Sequence, residues 1–167
     1  LNDIYRSTLD KPNRYQYSDL GFYLLAEMVK VTTGQFLDEY VTEHFYEPLG
    51  LTSTGFNPWK WADLTKVAPT EVDNYFRGQK LHGYVHDMGS AMLGGVSGHA
   101  GLFSNAHDLA ILLQVILFKG EYGGMTFFKP ETIQKFTSHH PKSIRRGIGW
   151  DMQQPNTPTT HMSSKAS

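Results

Sequence analysis

A helical run from Phe22 to Thr33, entered through Tyr17-Ser18-Asp19-Leu20-Gly21, constrains this chain more than any other feature. Its apolar positions Leu20, Leu24, Leu25, Met28 and Val29 recur at spacings of three and four, the period of one helix face. Ser18 is a residue type that caps a helix start, because its hydroxyl accepts a backbone N–H that lacks an intrahelical partner. Thr33-Gly34 closes the run, since glycine readily takes the left-handed turn that ends a helix. With 167 residues, 40% of them hydrophobic and 13% aromatic, the chain can bury a core and is too apolar to be disordered.

Further elements follow the same logic. Phe36, Leu37, Tyr40, Val41 and Phe45 give a second helix, closed by Glu47-Pro48-Leu49-Gly50. Residues 51 to 85 hold no sustained period and read as a long loop with short elements, a length that in compact domains marks a functional segment or a lid. A glycine-rich stretch, Leu93 to Leu102, precedes a helix carrying Leu109, Leu112, Leu113, Ile116 and Leu117. Asn105 and Asp108 are spaced as a capping pair for it, and Gly120 ends it. Pro130 and Glu131 open a short helix through Phe136, and Arg146 to Trp150 reads as the start of a strand. Lys11-Pro12-Asn13 is a turn signal, and the polar tail from Gln153 to Ser167 is expected to be mobile.

Charge and composition exclude several classes. Net charge is −1 from 15 basic and 16 acidic residues, with neither sign concentrated, which speaks against a nucleic-acid groove or an anionic-membrane surface. No apolar run approaches the roughly 20 residues that span a bilayer. Leu1 opens no signal peptide, so any export signal is expected upstream. Absence of cysteine removes disulfides, thiolate catalysis and thiolate zinc sites, and fits an exported bacterial protein.

Tyr17 is the first candidate for chemistry. A phenol titrates near pH 10, so it serves as a base at neutral pH only when cations lower that value or when it relays a proton. At a helix mouth its hydroxyl can meet a serine arriving from another element, the nucleophile-and-base pairing of covalent catalysis. An aromatic packing a helix start is the plainer account of Tyr17 taken alone. His82, His86, Asp87 and His99 cluster in sequence, but Gly83 weakens the helix that would align His82 with His86, and no His-Glu-x-x-His signature occurs. Hydrogen-bonded histidines are the better reading, and no metal or organic cofactor is implied. The glycine cluster lacks the lysine of a phosphate loop, so glycines that permit positive φ or close backbone approach explain it better. Ser97 in Gly95-Val96-Ser97-Gly98-His99 misses the nucleophile elbow, its second glycine falling one position early.

Taken in order, three blocks resemble the β-lactamase-related serine hydrolases: class C β-lactamases, DD-peptidases and related esterases. Tyr17-Ser18-Asp19-Leu20-Gly21-Phe22, followed by Val31-Thr32-Thr33-Gly34 and Pro48-Leu49-Gly50-Leu51, is similar to that family's Tyr-x-Asn region and its next two helices. Gly98-His99-Ala100-Gly101-Leu102-Phe103-Ser104-Asn105 with Asp108-Leu109-Ala110 resembles its glycine-rich turn and capped helix. Gly147-Ile148-Gly149-Trp150 resembles the strand before its His/Lys-Thr-Gly motif.

The resemblance implies an architecture: the mainly helical lobe of a two-lobe α/β fold over residues 1–152, with a little of the sheet lobe at its end and residues 153–167 as a tail. It gives Tyr17 the general-base or relay role and places Asp19 where the family commonly has asparagine. An amide donates and accepts, whereas an ionised carboxylate only accepts, so Asp19 can anchor a lysine ammonium but not donate to a substrate carbonyl. Ser18, His99 and Gly101 are the expected substrate-binding residues. The family's Ser-x-x-Lys nucleophile has no match, since Thr132-Ile133-Gln134-Lys135 has the spacing in the wrong place, and the His/Lys-Thr-Gly motif is absent. The expected parent activity is serine acyl transfer on a β-lactam, a peptidoglycan peptide or an ester, in a periplasmic or otherwise extracytoplasmic setting. Related modules occur fused to cell-wall glycoside hydrolases. The 167 residues alone are expected to be inactive and to need the remainder of the domain as partner. A non-catalytic binding or purely structural helical module and, behind it, a histidine-based metallohydrolase are the alternatives.

Overall fold

The computed structural model describes residues 2–8, 16–139 and 146–152. The expected turn at Lys11-Pro12-Asn13, Tyr15, His140 and the tail from Gln153 lie outside the described residues.

Helix α1 spans Asn2–Arg6 and α2 spans Leu20–Thr33. Asp19 rather than Ser18 holds the cap position of α2; its carbonyl accepts from Phe22 N at 2.9 Å, and its carboxylate makes no capping bond. Ser18 still serves the helix start, its Oγ accepting the Leu20 N–H at 3.2 Å. Gly34 ends α2 at φ 79°, its N–H donating to the Lys30 carbonyl at 2.8 Å. The short α3, Leu37–Val41, runs on into one wider turn, Thr42–Tyr46. Strand β1 is Gly55–Phe56, followed by single helical turns at Pro58–Lys60 and Leu64–Lys66. Strands β2, Pro69–Asp73, and β3, Gln79–His82, form an antiparallel hairpin, and α4 covers Met88–Met92. Strand β4, Leu102–Phe103, pairs antiparallel with β1, Gly55 opposite Phe103. Then come α5, Ala106–Leu117, the hairpin of β5, Glu121–Tyr122, and β6, Met125–Thr126, and α6, Pro130–Thr137. Residues 146–152 carry a single antiparallel bridge, Arg146 opposite Asp151, with Gly147 N donating to the Trp150 carbonyl. Every sheet among the described residues is two-stranded.

The chain divides into two compact units, residues 1–111 and 112–167, the division falling inside α5. In the first, Tyr46, Leu49, Leu51, Leu81, Val85 and Ile111 are buried; in the second, Val115 and Ile133. Burial of an aliphatic or aromatic side chain contributes about 1.5–3 kcal/mol. The core of the first unit is thus built on the chain after α3 and on the β2–β3 hairpin. Helix α2 buries no residue, and its apolar stripe faces outward at Leu20, Leu25 and Met28, the last 58% exposed.

Two polar anchors set the first unit's geometry. Asp108, in the first turn of α5, is almost fully buried, and its Oδ2 accepts Ser53 N and Thr54 Oγ1, both at 2.9 Å. The sequence pairs Asn105 with Asp108 as reciprocal caps, but only half of that pair forms: Asn105 Oδ1 accepts the Asp108 N–H at 2.8 Å, while the Asp108 carboxylate turns to the segment before β1. At the β2–β3 turn, Asp73 accepts N–H groups of Tyr75, Phe76 and Arg77 and the Arg77 Nε at 2.8 Å. Arg77 also donates from Nη1 to the Val85 carbonyl and from Nη2 to the His86 carbonyl, tying the hairpin to the chain ahead of α4.

Candidate functional site

The start of α2 and the glycine-rich turn meet through backbone. A Cβ on Gly98 would collide with the Phe22 carbonyl oxygen in the first turn of α2, so only glycine lets the two segments lie this close. Gly101, at φ 115°, similarly passes against the Gly95 carbonyl, which folds the turn back on itself. These two approaches explain why glycines are concentrated here.

A polar chain crosses the same junction. His99 Nδ1 lies 2.8 Å from Ser97 Oγ, and His99 Nε2 lies 2.9 Å from Asp87 Oδ1. Asp87 Oδ1 also accepts the Ser90 N–H at 2.7 Å as the cap of α4. Burial opposes charge on Asp87, but the Ser90 N–H, the His99 ring bond and the charges of His99 and His86 together hold its carboxyl below the usual carboxylate range. With Asp87 ionised, Nε2–H donates to its carboxylate, and Nδ1 shares the second hydrogen bond with the Ser97 hydroxyl. Tyr23, one turn into α2, packs its ring 4.6 Å from that of His99. Burial, then the charges of Asp87 and Asp19, raise its phenol pKa, so it stays neutral.

Serine, imidazole and carboxylate here follow the bonding order of a nucleophile, a base and its orienting group. Ser97 is only 3% exposed, however, and its hydroxyl is committed to the ring. The chain acts as a strut joining the glycine-rich turn, α4 and α2.

The expected site residues separate into two groups. Tyr17, Ser18 and Asp19 stand at the entrance of α2, where Tyr17 is 74% exposed and Asp19 half-buried. His99 and Gly101 line a cavity of about 400 Å3 bordered by Leu37, Val41, Tyr46 and Phe56. Burial pushes the Tyr46 phenol up to about 12, so that wall is uncharged. Tyr23 links the groups, sensing Asp19 on one side and touching His99 on the other. Sequence reasoning missed Tyr23, and it named Asp87 and Ser97 without joining them to His99. The clue lay in Tyr23 standing four residues after Asp19 on one helix face. As for the metal alternative, His82 Nε2 bonds the Val67 carbonyl at 2.7 Å, and among the described residues no three His, Asp or Glu side chains converge as a metal-binding group.

A buried strut beneath a glycine-rich turn, set against a helix with an exposed tyrosine at its head, is the arrangement to compare with known proteins. The family model described as Beta-lactamase matches residues 6–162, nearly the whole chain, and the chain belongs to that family. A relative from Escherichia coli K12, named "Putative D-alanyl-D-alanine carboxypeptidase", is 40% identical over 93% of this chain and 38% of its own length. Among solved structures, a "putative beta-lactamase" from Bacteroides dorei DSM 17855 matches with TM-score 0.57 at 20% identity, covering 89% of this chain and 43% of that one. The octameric penicillin-binding protein homologue from Pyrococcus abyssi matches with TM-score 0.56 at 23% identity, covering 83% and 29%. At these identities the structural likeness is one of fold. The chain spans about two fifths of the length of the curated relatives it matches. Among the described residues no helix is long and apolar enough to cross a membrane.

Proposed function

We propose that this chain carries the tyrosine-bearing part of a penicillin-binding type serine hydrolase, and that the nucleophile comes from flanking sequence of the same domain. The observation that carries the reading is the position of Tyr17, 74% exposed at the head of α2, with the glycine-rich turn held against that helix by Gly98. In the complete site a serine Oγ bonds to the carbonyl carbon of an amide or ester, and its proton passes to Tyr17, made basic by a neighbouring lysine ammonium. Asp19, whose carboxylate is spent on no cap, anchors that ammonium. The leaving amine or alcohol departs with the proton, and water then hydrolyses the acyl-enzyme. Ser18, His99 and Gly101 border the bound acyl group.

The exposed apolar stripe of α2 supports the reading of these residues as part of a larger, mainly helical lobe, since apolar surface of that kind is normally covered. The substrate class is a β-lactam, a peptidoglycan stem peptide or an ester, met outside the cytoplasm. The 167 residues by themselves do not turn it over, because the Ser-x-x-Lys pair is not among them. A fluorescent penicillin tests this with the 167-residue chain and with a chain extended to the relatives' length. Labelling of the extended chain alone, at a serine beyond these residues, is expected. Labelling of a serine within the 167 residues, or of neither chain, overturns the proposal.

A further inference from the structure

Trp61 presents a fixed aromatic face that the acyl-transfer reading does not use. Its indole Nε1 donates to the Phe56 carbonyl at 2.8 Å, and its ring edge lies against Gly55, where a Cβ would sit 3.1 Å from Cζ2. Gly55 is opposite Phe103 in the β1–β4 pair, so the ring is braced by a strand and cannot rotate freely. Yet Trp61 is 46% exposed. An apolar ring held in place while half of it stays wet is preorganised for stacking.

Trp61 lines a cleft of about 690 Å3, within the roughly 300–1,000 Å3 of small-molecule sites. Phe103, Asp63, Lys66, Ser104 and Asn105 share that lining. Asp63 Oδ1 accepts the Thr65 N–H and hydroxyl, leaving Oδ2 open. Asn105 gives its Oδ1 to the α5 cap, which leaves its amide N–H2 as a donor. The positive charge of Lys66 balances the negative charge of Asp63, so the lining favours a neutral ligand. One flat aromatic face with separate donors and an acceptor beside it matches a pyranose ring. The axial C–H groups of such a ring suit the electron-rich indole face, and its equatorial hydroxyls both donate and accept.

We propose that the Trp61 cleft is a carbohydrate-binding site that stacks a neutral pyranose on the indole and engages its hydroxyls through Asp63, Lys66 and Asn105. The proposal is independent of acyl transfer, because it uses other residues and is read by binding alone.

The test uses a Trp59→Phe, Trp150→Phe variant, which leaves Trp61 as the single tryptophan. It is titrated with triacetylchitotriose, with cellotriose and, as the competing class, with an acetyl-Lys-D-Ala-D-Ala peptide. A saturable change in Trp61 emission with at least one sugar is expected. In the same background Lys66→Ala should weaken binding about threefold, the scale of one exposed polar contact. Trp61→Ala in the unmodified chain should abolish calorimetric binding, with circular dichroism checking the fold; if that variant unfolds, the emission titration and Lys66→Ala decide alone. No response to either sugar, a response to the peptide only, or sugar binding unchanged by Lys66→Ala overturns the proposal.

Discussion

His99 Nε2 sits 2.9 Å from Asp87 Oδ1, while the opposite nitrogen of the same ring meets Ser97 Oγ at 2.8 Å. One imidazole thereby spans from the cap of α4 to the glycine-rich turn, and its face receives Tyr23 of α2. Two neighbouring segments, α4 and the glycine-rich turn, are thereby registered against α2, more than sixty residues earlier, around a single side chain. That makes His99 a structural part of the proposed site rather than a free acid or base.

Replacing His99 with Ala should therefore destabilise the chain by about 1–3 kcal/mol, since Ser97 and Asp87 each lose a partner in partly buried surroundings. Hydrogen exchange should quicken in residues 94–101 before it does in α5. Wild-type protection there in the variant would refute the strut.

Asp108 joins α5 to the chain before β1 through Ser53 N and Thr54 Oγ1. Asp108→Ala removes the partner of the Ser53 N–H and leaves the buried Thr54 hydroxyl with Ser104 Oγ alone, and is expected to cost about 2–3 kcal/mol, read from denaturant midpoints. Asn105→Ala, which removes only a helix cap, should cost about 1 kcal/mol. Equal costs would show that the Asp108 carboxylate works merely as a cap.

Gly98→Ala sets a methyl group against the Phe22 carbonyl, a backbone atom that cannot rotate away. Overpacking of this kind costs about 1–3 kcal/mol. Gly21→Ala, with open space around the added carbon, should be neutral or slightly stabilising, because alanine favours a helix. Thermal melts of the two variants make the comparison, and a neutral Gly98→Ala would contradict the close approach.

The Arg77 side chain, then the Phe76 N–H, hold Asp73 at about 2, against burial and with help from the Tyr75 and Arg77 N–H groups; the ordinary value is 3.8. A carboxyl whose folded pKa is lowered stabilises the fold fully above its unfolded pKa and loses that contribution as pH falls through the folded one. Stability linked to Asp73 should thus be intact above about pH 5 and decline from near pH 4 to pH 2. Asp87 adds loss in the same direction. Asp73→Asn should flatten the acid limb of a stability-against-pH curve, and an unchanged slope would rule out this linkage.

Tyr17→Phe keeps the ring of a mostly exposed residue and should change stability by no more than about 1 kcal/mol. In a chain extended to the relatives' length, the same change is expected to slow acylation by about 10²–10⁴, the scale of general-base loss. Full activity in the phenylalanine variant would remove Tyr17 from the mechanism.

Much of the local structure was legible before any fold was known. The end of α2 at Gly34, Pro130 at the start of α6 and the helix after Asn105 follow from backbone chemistry that acts within a few residues. Membership of the β-lactamase family was legible too, because the blocks around Tyr17 and Gly98 keep their order. The direction of side chains was not. Asp108 has the spacing of a cap residue, yet its carboxylate serves Ser53 and Thr54, more than fifty positions earlier. The period marks one face of α2, yet of that face Leu20, Leu25 and Met28 are exposed and Leu24 and Val29 only half-buried.

The sequence by itself determined where α2 ends and where α5 and α6 begin, because capping, proline geometry and glycine's freedom at positive φ are local effects. Tertiary structure alone decided that Ser97, His99 and Asp87 form one hydrogen-bonded chain, and that Trp61 is braced with a face left open. Hydrogen bonds and ring packing depend on distances across the fold, and no period or spacing along a chain encodes those directly.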